Sequence, residues 1–277
     1  MPYAILLNEL IPLDLQKTAR ILAKAQNIIY ADATRSVRNC CGILAQNLTL
    51  EEARSLSDDL NREDVGVFYM DQGQMYRPER AVHVNNADCL EQHFNVQDVY
   101  GRPHPLSWEN ITLISLGRVV ERTESGSWAC SVPGRGIVAG RVLRASILGL
   151  SGGMIARGPV ESSPGLRRAT EEERHILDIF SKVPQRRHYR IQQKSFNYNY
   201  LGERLRPNST ENFRLFIEDL VRFAKHAYGN RGINAYLTGK EPEKIDYYDL
   251  DHFNKENLWL LQLIHTGESS SEEDEGQ

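Results

Sequence analysis

The sequence has few cysteines, no long apolar run and no secretory leader pattern. Four cysteines among 277 residues are too few for a disulfide framework, which favours a reducing compartment. No stretch approaches the roughly eighteen consecutive apolar residues that a membrane-spanning helix needs. The first residues, MPYAILLNELIPLDL, lack the basic segment and the small-residue cleavage site of a secretory signal. We therefore expect a cytoplasmic protein without a transmembrane segment.

Motifs of the common enzyme classes are also missing. The SGG at 151–153 does not match the nucleophile elbow G-x-S-x-G, and the chain contains neither H-E-x-x-H nor a P-loop. His83, Cys89 and His93 lie close in sequence, but a zinc site usually needs a second close pair of ligands. We expect no metal, no cofactor and no catalytic residues, while an active site built from residues distant in sequence stays open.

Charge divides the chain into three blocks. Residues 1–100 hold 9 Lys and Arg against 14 Asp and Glu, 101–206 hold 17 against 9, and 207–277 hold 7 against 14. The basic middle block could be neutralised by its acidic flanks or could bind an external anion. The tail at 267–277, GESSSEEDEGQ, has no apolar side chain to offset its ordering entropy. It is therefore predicted to be disordered.

Residues 1–72 have the pattern of a small two-layer α/β module. An apolar strand is predicted over 3–10, then a helix capped by Asp14 and a second helix over 31–41 that stops at Gly42. Thr49 and Glu52 form a capping box for a third helix, and a strand over 65–70 closes the module. The predicted order is strand, three helices, strand.

The run ILAQNLTLEEARSLSDDLNREDVGVFYM, residues 43–70, resembles the end of the ribosomal L7/L12 C-terminal domain. The adaptor ClpS has a similar fold, and the resemblance covers residues 3–72. Both families bind proteins and catalyse nothing, and the ribosomal domain recruits translation factors through a basic helix face. The resemblance thus implies five protein-binding candidates: Lys17, Arg20, Lys24, Arg35 and Arg38. Asn27-Ile28-Ile29 replaces the family's glycine-rich turn, so an interaction role rather than a ribosomal one is implied.

The remainder predicts a linker and a second domain. Turn-forming residues indicate a linker over 73–105 with one short strand at 81–84. A basic α+β domain of antiparallel strands is predicted over 106–240, with a helical extension over 241–266. Its strands are expected over 108–120, 137–142, 146–150, 187–191 and 196–200. Its helices are expected from Thr170 through Ile179 and from Ser209 or Thr210 to Gly229.

The phrase LSWENITLISLG, residues 106–117, resembles a strand of pleckstrin-homology or GRAM-like domains. This resemblance covers residues 104–228 and leaves 122–168 as an insertion. Arginines beside glycines or aromatics suit phosphate groups, which yields six anion-binding candidates: Arg135, Arg141, Arg144, Arg186, Arg187 and Arg190. Ordinary solvent-facing arginines on strands and hairpins explain the same residues, and this interpretation is the favoured one.

These patterns together favour a bacterial α+β adaptor that binds other proteins and is not an enzyme. The alternative is a binder of anionic ligands, either nucleic acid or phospholipid headgroups, through the arginine-rich middle block. A salt titration separates the two hypotheses, because phosphate binding weakens steeply with salt and an apolar interface does not.

Overall fold

The structure is a computed structural model that describes residues 1–9, 13–98, 100–124, 169–182 and 186–274. The chain divides into two compact units, of which the first comprises Met1–Glu121 and Glu173–Gln277. The second unit, Arg122–Glu172, is described only at its two ends. The predicted strands at 137–142 and 146–150 and most of the predicted insertion lie outside the described residues.

The first 71 residues form a three-stranded antiparallel sheet with three helices packed against it. In chain order the elements are β1 (Tyr3–Leu7), α1 (Leu15–Gln26), α2 (Tyr30–Arg38), β2 (Ile43–Leu48), α3 (Leu50–Arg62) and β3 (Val67–Asp71). The strand order is β2-β1-β3. Both predicted caps are confirmed: Asp14 accepts the N–H groups of Gln16 and Lys17, and Thr49 and Glu52 form the capping box.

The predicted order of strand, three helices, strand did not include β2, which the structure places between α2 and α3. Helix α2 ends at Arg38 rather than at position 41. Cys41 and Gly42 have positive φ angles of 45° and 91° and turn the chain into β2. The residues of β2 that pair with β1 are apolar and buried, as Ala45 opposite Ile5 shows. Burial in the sheet therefore determines the structure of this segment.

The small sheet is covered on both faces. Ala4, Ile5, Leu6 and Leu7 are all buried, without the alternation of a strand that has one solvent face. The three helices supply much of this core, and Trp259 from the C-terminal helix belongs to the same apolar cluster. The N-terminal module is therefore completed by a residue from the other end of the chain.

A larger mixed sheet follows. Its strands are β4 (Val82–Cys89), β5 (Phe94–Asp98), β6 (Pro103–Leu106), β7 (Ile111–Glu124), β8 (Ala169–Ser181), β9 (Arg187–Gln192), β10 (Tyr228–Gly229) and β11 (Asp246–Tyr247). The order is β10-β7-β8-β9-β4-β5-β6, with β11 also paired to β7. The β4–β9, β10–β7 and β11–β7 pairs are parallel, so the prediction of antiparallel strands is only partly correct.

Three helices, α4 (Ser209–Phe223), α5 (Arg231–Thr238) and α6 (Leu250–Asp274), complete the described fold. Phe213 and Phe216 of α4 pack with Tyr189 and Ile191 of β9 on one face of the sheet. The intervening Arg190 contacts α6, so α6 lies on the opposite face. The predicted α+β class is confirmed. No helix in the described part of the chain is long and apolar enough to cross a membrane.

The segment at 73–105, interpreted as a linker, contributes β4, β5 and most of β6 to the large sheet. Pro103 and Pro105, which indicated a linker, lie in β6 at the sheet edge. Proline is tolerated there because an edge strand need not donate every N–H group. The N-terminal module and the large sheet belong to one compact unit.

Two predicted elements of the second half are wrong. The helix from Thr170 through Ile179 is strand β8, in which residues 176–181 are all buried and therefore show no period-two alternation. The strand predicted at 196–200 is reduced to one β-bridge, between Asn197 and Asn86, and is followed by a 3-10 helix, Asn199–Arg204. Phe196 and Tyr198 are nevertheless buried, because they pack against one another and the α4 core.

The remaining helical predictions are partly correct. Helix α4 begins beside the predicted cap, although Asn208 rather than Ser209 or Thr210 supplies the capping oxygen, and it ends at Phe223, before Gly229. Helix α6 runs to Asp274 and so extends into 267–277, the tail for which disorder is predicted. Residues 275–277 lie outside the described part.

Candidate functional site

The basic residues of α1 lie on the solvent side of that helix. Lys17, Arg20 and Lys24 are spaced by three and four residues, which places them on one stripe. The buried residues of α1 lie on the other side: Thr18, Ala19 and Leu22. The helical spacing of the sequence therefore places all three cations on the solvent side of α1.

One member of this stripe is engaged. Lys17 Nζ lies 2.7 Å from Glu63 Oε2 and donates to the Glu63 carbonyl oxygen at 3.0 Å. The hydrogen bond to Glu63 raises the pKa of Lys17. Arg20 and Lys24 are exposed and form no ion pair with any residue that the structure describes. Two of the three cations of α1 are therefore available to a partner.

Helix α2 adds further cations and two exposed apolar residues. Arg35 lies 3.5 Å from Asp32, whereas Arg38 is exposed and has no ion-pair partner in the described part of the chain. Ile29 and Tyr30, at the start of α2, are 67% and 45% exposed. We call Arg20, Lys24, Arg38 and this apolar pair the basic helix surface.

The arginine-rich block is largely committed to internal contacts. Arg186 stacks over the Tyr76 ring at 4.9 Å, and Arg187 donates to His104 Nδ1 at 2.6 Å. Arg190 is buried in an ion pair with Asp178. The structure therefore does not bring these three together as one anion-binding surface. Arg135, Arg141 and Arg144 lie outside the described residues.

Arg190 belongs to a buried polar network that the sequence patterns did not indicate. Its Nε and Nη2 donate to the two oxygens of Asp178 at 2.7 and 2.6 Å, and Nη2 also donates to Asn254 Oδ1 at 2.6 Å. Asn257 Nδ2 donates to Asp178 at 3.2 Å, and Ser115 donates to Asn257 Oδ1. The network thus connects β7, β8 and β9 to α6.

His188 completes this network. Its Nε2 lies 2.8 Å from Asp178 Oδ2, and its ring stacks on Phe180 with centroids 4.3 Å apart. Burial opposes ionisation of Asp178, but His188 and the hydrogen bonds from Arg190 outweigh it and lower the pKa of this carboxyl group. Asp178 is therefore held as a buried carboxylate.

A cavity of about 340 Å³ opens beside this network. Arg190, His188 and Phe180 contribute from the sheet, and Asn254 and Asn257 contribute from α6. The remaining wall is formed by Leu258 of α6, by His83 and by a segment that carries one acidic and one basic residue: Pro78, Glu79, Arg80 and Ala81. A sequence signal that was not used is Asp178, an acidic residue inside the apolar run ILDIF, because such a residue requires a buried partner. Its partners are too distant in sequence to identify without the fold.

A second buried network joins α5, β11 and α6. Arg231 Nη2 lies 3.0 Å from Glu256, and Tyr247 donates its hydroxyl to Glu256 at 2.8 Å. Asn230 donates to the Tyr247 hydroxyl at 3.1 Å and bonds both backbone groups of Leu116. Burial, with Glu256 nearby, raises the pKa of Tyr247 well above its usual range. All the contacts named here join residues of the protein to one another, which indicates a structural role for this network.

The three cysteines that the structure describes all have raised pKa values. Cys40, Cys41 and Cys89 are free thiols. Burial raises the pKa of Cys40 and raises that of Cys41 and Cys89 to about 12. Within the described ranges no three His, Cys, Asp or Glu side chains are placed to hold a metal ion.

Comparison of the chain with protein-family models, with characterised proteins and with solved structures finds no match.

Proposed function

We propose that this protein is a non-enzymatic adaptor of the bacterial cytoplasm whose basic helix surface binds an acidic segment of a partner protein. The observation that carries the proposal is the exposure of Arg20, Lys24 and Arg38 without an ion-pair partner in the described structure. Their neighbour in sequence is the exposed pair Ile29 and Tyr30.

The chemistry of this surface favours a protein partner over a small ligand. An exposed isoleucine and tyrosine supply apolar contact area, and tyrosine and arginine are the residue types that protein interfaces enrich. The cations select a partner of opposite charge and speed the encounter, which is the main contribution of charge at interfaces. The partner segment should therefore combine acidic residues with at least one apolar anchor.

The resemblance of residues 3–72 to the ribosomal L7/L12 C-terminal domain and to ClpS supports the same proposal, because both families are protein-binding modules. The resemblance of residues 104–228 to pleckstrin-homology or GRAM-like domains does not suggest a second binding surface for this proposal. The alternative proposal, binding of nucleic acid or phospholipid headgroups, is weakened because Arg186, Arg187 and Arg190 each contact a different residue of the protein and do not form one open surface. It now depends on Arg135, Arg141 and Arg144.

Capture from bacterial lysate with the full-length protein tests the proposal when it is combined with charge reversal. The test variant is Arg20→Glu with Lys24→Glu. The matched control is Lys225→Glu with Lys240→Glu, which makes the same charge change at exposed positions remote from the basic helix surface in sequence. Each protein is used with and without nuclease, and captured proteins are identified by mass spectrometry.

We expect the test variant to lose specific proteins that the wild type and the control both retain after nuclease treatment. Acidic peptides from a retained protein should then bind the wild type at least about tenfold more tightly than the test variant. Equal capture by both charge-reversed variants would contradict the proposal. Retention of nucleic acid or lipid alone, removed by about 0.5 M salt, would favour the anionic-ligand alternative instead.

A further inference from the structure

The cavity beside Asp178 is lined by residues whose hydrogen-bond donors are only partly used within the protein. Asp178 is fully buried, and its two oxygens already accept from Arg190 and Asn257. The side-chain oxygens of Asn254 and Asn257 accept from Arg190 and Ser115. The acceptors of the network are therefore engaged within it.

By contrast, some N–H donors of Arg190 and Asn254 form no hydrogen bond within the described structure. Arg190 uses Nε and Nη2 for its internal bonds, while Nη1 forms no hydrogen bond within the described structure and is not sealed from solvent. Because the Asn254 oxygen accepts from Arg190, its amide nitrogen is left with two N–H groups for which the structure describes no acceptor. Both residues line the cavity.

Two histidines line the same cavity. His188 is 7% exposed, and its enclosed Nε2 lies 2.8 Å from Asp178 Oδ2, so that nitrogen belongs to the network and not to a ligand. His83 of β4 stands opposite Arg190 of β9 in the sheet register, so its side chain shares the same face. Imidazole groups can donate to an anion when protonated.

We propose that this cavity binds a small organic anion, a carboxylate or phosphate ester, through Arg190 and Asn254. Arginine binds such groups with charge-assisted hydrogen bonds, and Asp178 fixes the plane of the guanidinium so that little rotamer entropy is lost on binding. The volume of about 340 Å³ is at the low end of ligand pockets. Phe180 and Leu258 supply apolar wall for the body of the ligand.

This proposal is independent of the adaptor function, because none of these residues belongs to the basic helix surface. It also differs from nucleic-acid or membrane binding, since Arg190 is 6% exposed and lines a cavity of about 340 Å³ instead of projecting from an exposed strand or hairpin. The two proposals can therefore fail separately.

Isothermal titration calorimetry on the full-length protein with sodium phosphate and with sodium acetate tests the proposal, with chloride used to match ionic strength. We expect a dissociation constant of about 1 mM or tighter for at least one probe. In ¹H–¹⁵N spectra, the Arg190 Nε signal should shift with the same dependence on probe concentration. The two probes distinguish a phosphate site from a carboxylate site.

Asn254→Asp is the variant that tests the proposed contact most directly. It keeps an oxygen for Arg190 Nη2 but replaces the free N–H groups with a negative charge, so binding should weaken at least about tenfold. Asn234→Asp, an exposed position on α5, makes the same charge change and should leave binding unchanged. Ala81→Phe introduces a large ring at the cavity wall, at a residue outside the network. It should also abolish binding, which keeps the test decisive if Asn254→Asp does not fold.

Binding of phosphate, of acetate or of both that is lost in Asn254→Asp or Ala81→Phe and kept in Asn234→Asp supports the proposal. Absence of binding of both probes to the wild type would overturn it. Equal binding by the wild type and Ala81→Phe would overturn it as well, because the anion would then occupy another place.

Discussion

Trp259 of α6 donates its indole N–H to the carbonyl oxygen of Leu7 in β1, 2.7 Å away and 252 residues earlier in the chain. The Trp259 ring lies against Gly42, in the turn that leads into β2. One side chain from the last helix therefore satisfies a backbone group of the N-terminal sheet and fills its core.

Gly42→Ala should destabilise the protein more than an equivalent change elsewhere. A methyl group at position 42 would overlap the Trp259 ring, and the φ angle of 91° is unfavourable for alanine. Gly101→Ala is the matched control, because Gly101 also has a positive φ, of 76°, but no neighbour near the added carbon. Urea unfolding should show a loss of about 1 kcal/mol for the control and about 3 kcal/mol or more for Gly42→Ala. Equal losses would show that Trp259 does not pack against Gly42.

Arg231→Met should leave Glu256 buried without its cation. Glu256 is 2% exposed and would retain the Tyr247 hydroxyl as a donor. Losing one partner of such a pair costs about 2 kcal/mol or more. Lys240→Met is the control, since Lys240 is exposed and should change the free energy of unfolding by less than about 0.5 kcal/mol. Chemical denaturation at neutral pH measures both, and similar values for the two would contradict the structural role of the Glu256 network.

Acid should destabilise the wild type more steeply than Asp178→Asn. The pKa of Asp178 is lowered in the folded protein, so the folded state binds fewer protons at this site than the unfolded chain does. Its stabilising contribution is present above the unfolded value, about 3.9, and is lost as the pH falls through the lower folded value. Free energies of unfolding measured from about pH 6 down to about pH 2 should fall with a smaller slope in the variant. Parallel slopes would show that Asp178 is not held as a carboxylate.

The thiols of Cys41 and Cys89 should react slowly with iodoacetamide in the native protein. Their pKa values of about 12 leave little thiolate near pH 8, and the thiolate is the reactive species. Cys130 lies outside the described residues, so the experiment uses Cys130→Ser. Mass spectrometry should show labelling at least about tenfold faster in urea than in buffer. Rapid labelling of Cys41 in the native protein would indicate that α6 detaches from the turn at Cys41 and Gly42, against which Trp259 packs.

Local sequence signals predicted the elements that depend on local contacts. The caps at Asp14 and Thr49 were correct because a capping oxygen bonds N–H groups two or three residues away. Helix α4 was recognised because its buried residues repeat at helical spacing on one face. The cations of α1 were placed on the solvent side for the same reason.

The errors arise where burial depends on distant parts of the chain. Strand β8 has no alternation because α4 and α6 cover opposite faces of the sheet, and its Ile176 and Ile179 matched a helical spacing by coincidence. The Asp178 network joins residues as far as 79 positions apart, so sequence could suggest a buried carboxylate but not its partners.

Helix α6 supplies Trp259 to the core of the small sheet and Phe253 to a cluster on the large one. It also follows every strand that the structure describes. During synthesis both sheets leave the ribosome before the helix that covers them, and their apolar faces remain exposed until α6 has been made. A ribosome that stalls ahead of α6 would therefore release a chain with two uncovered faces, which chaperones and proteases would recognise as unfinished.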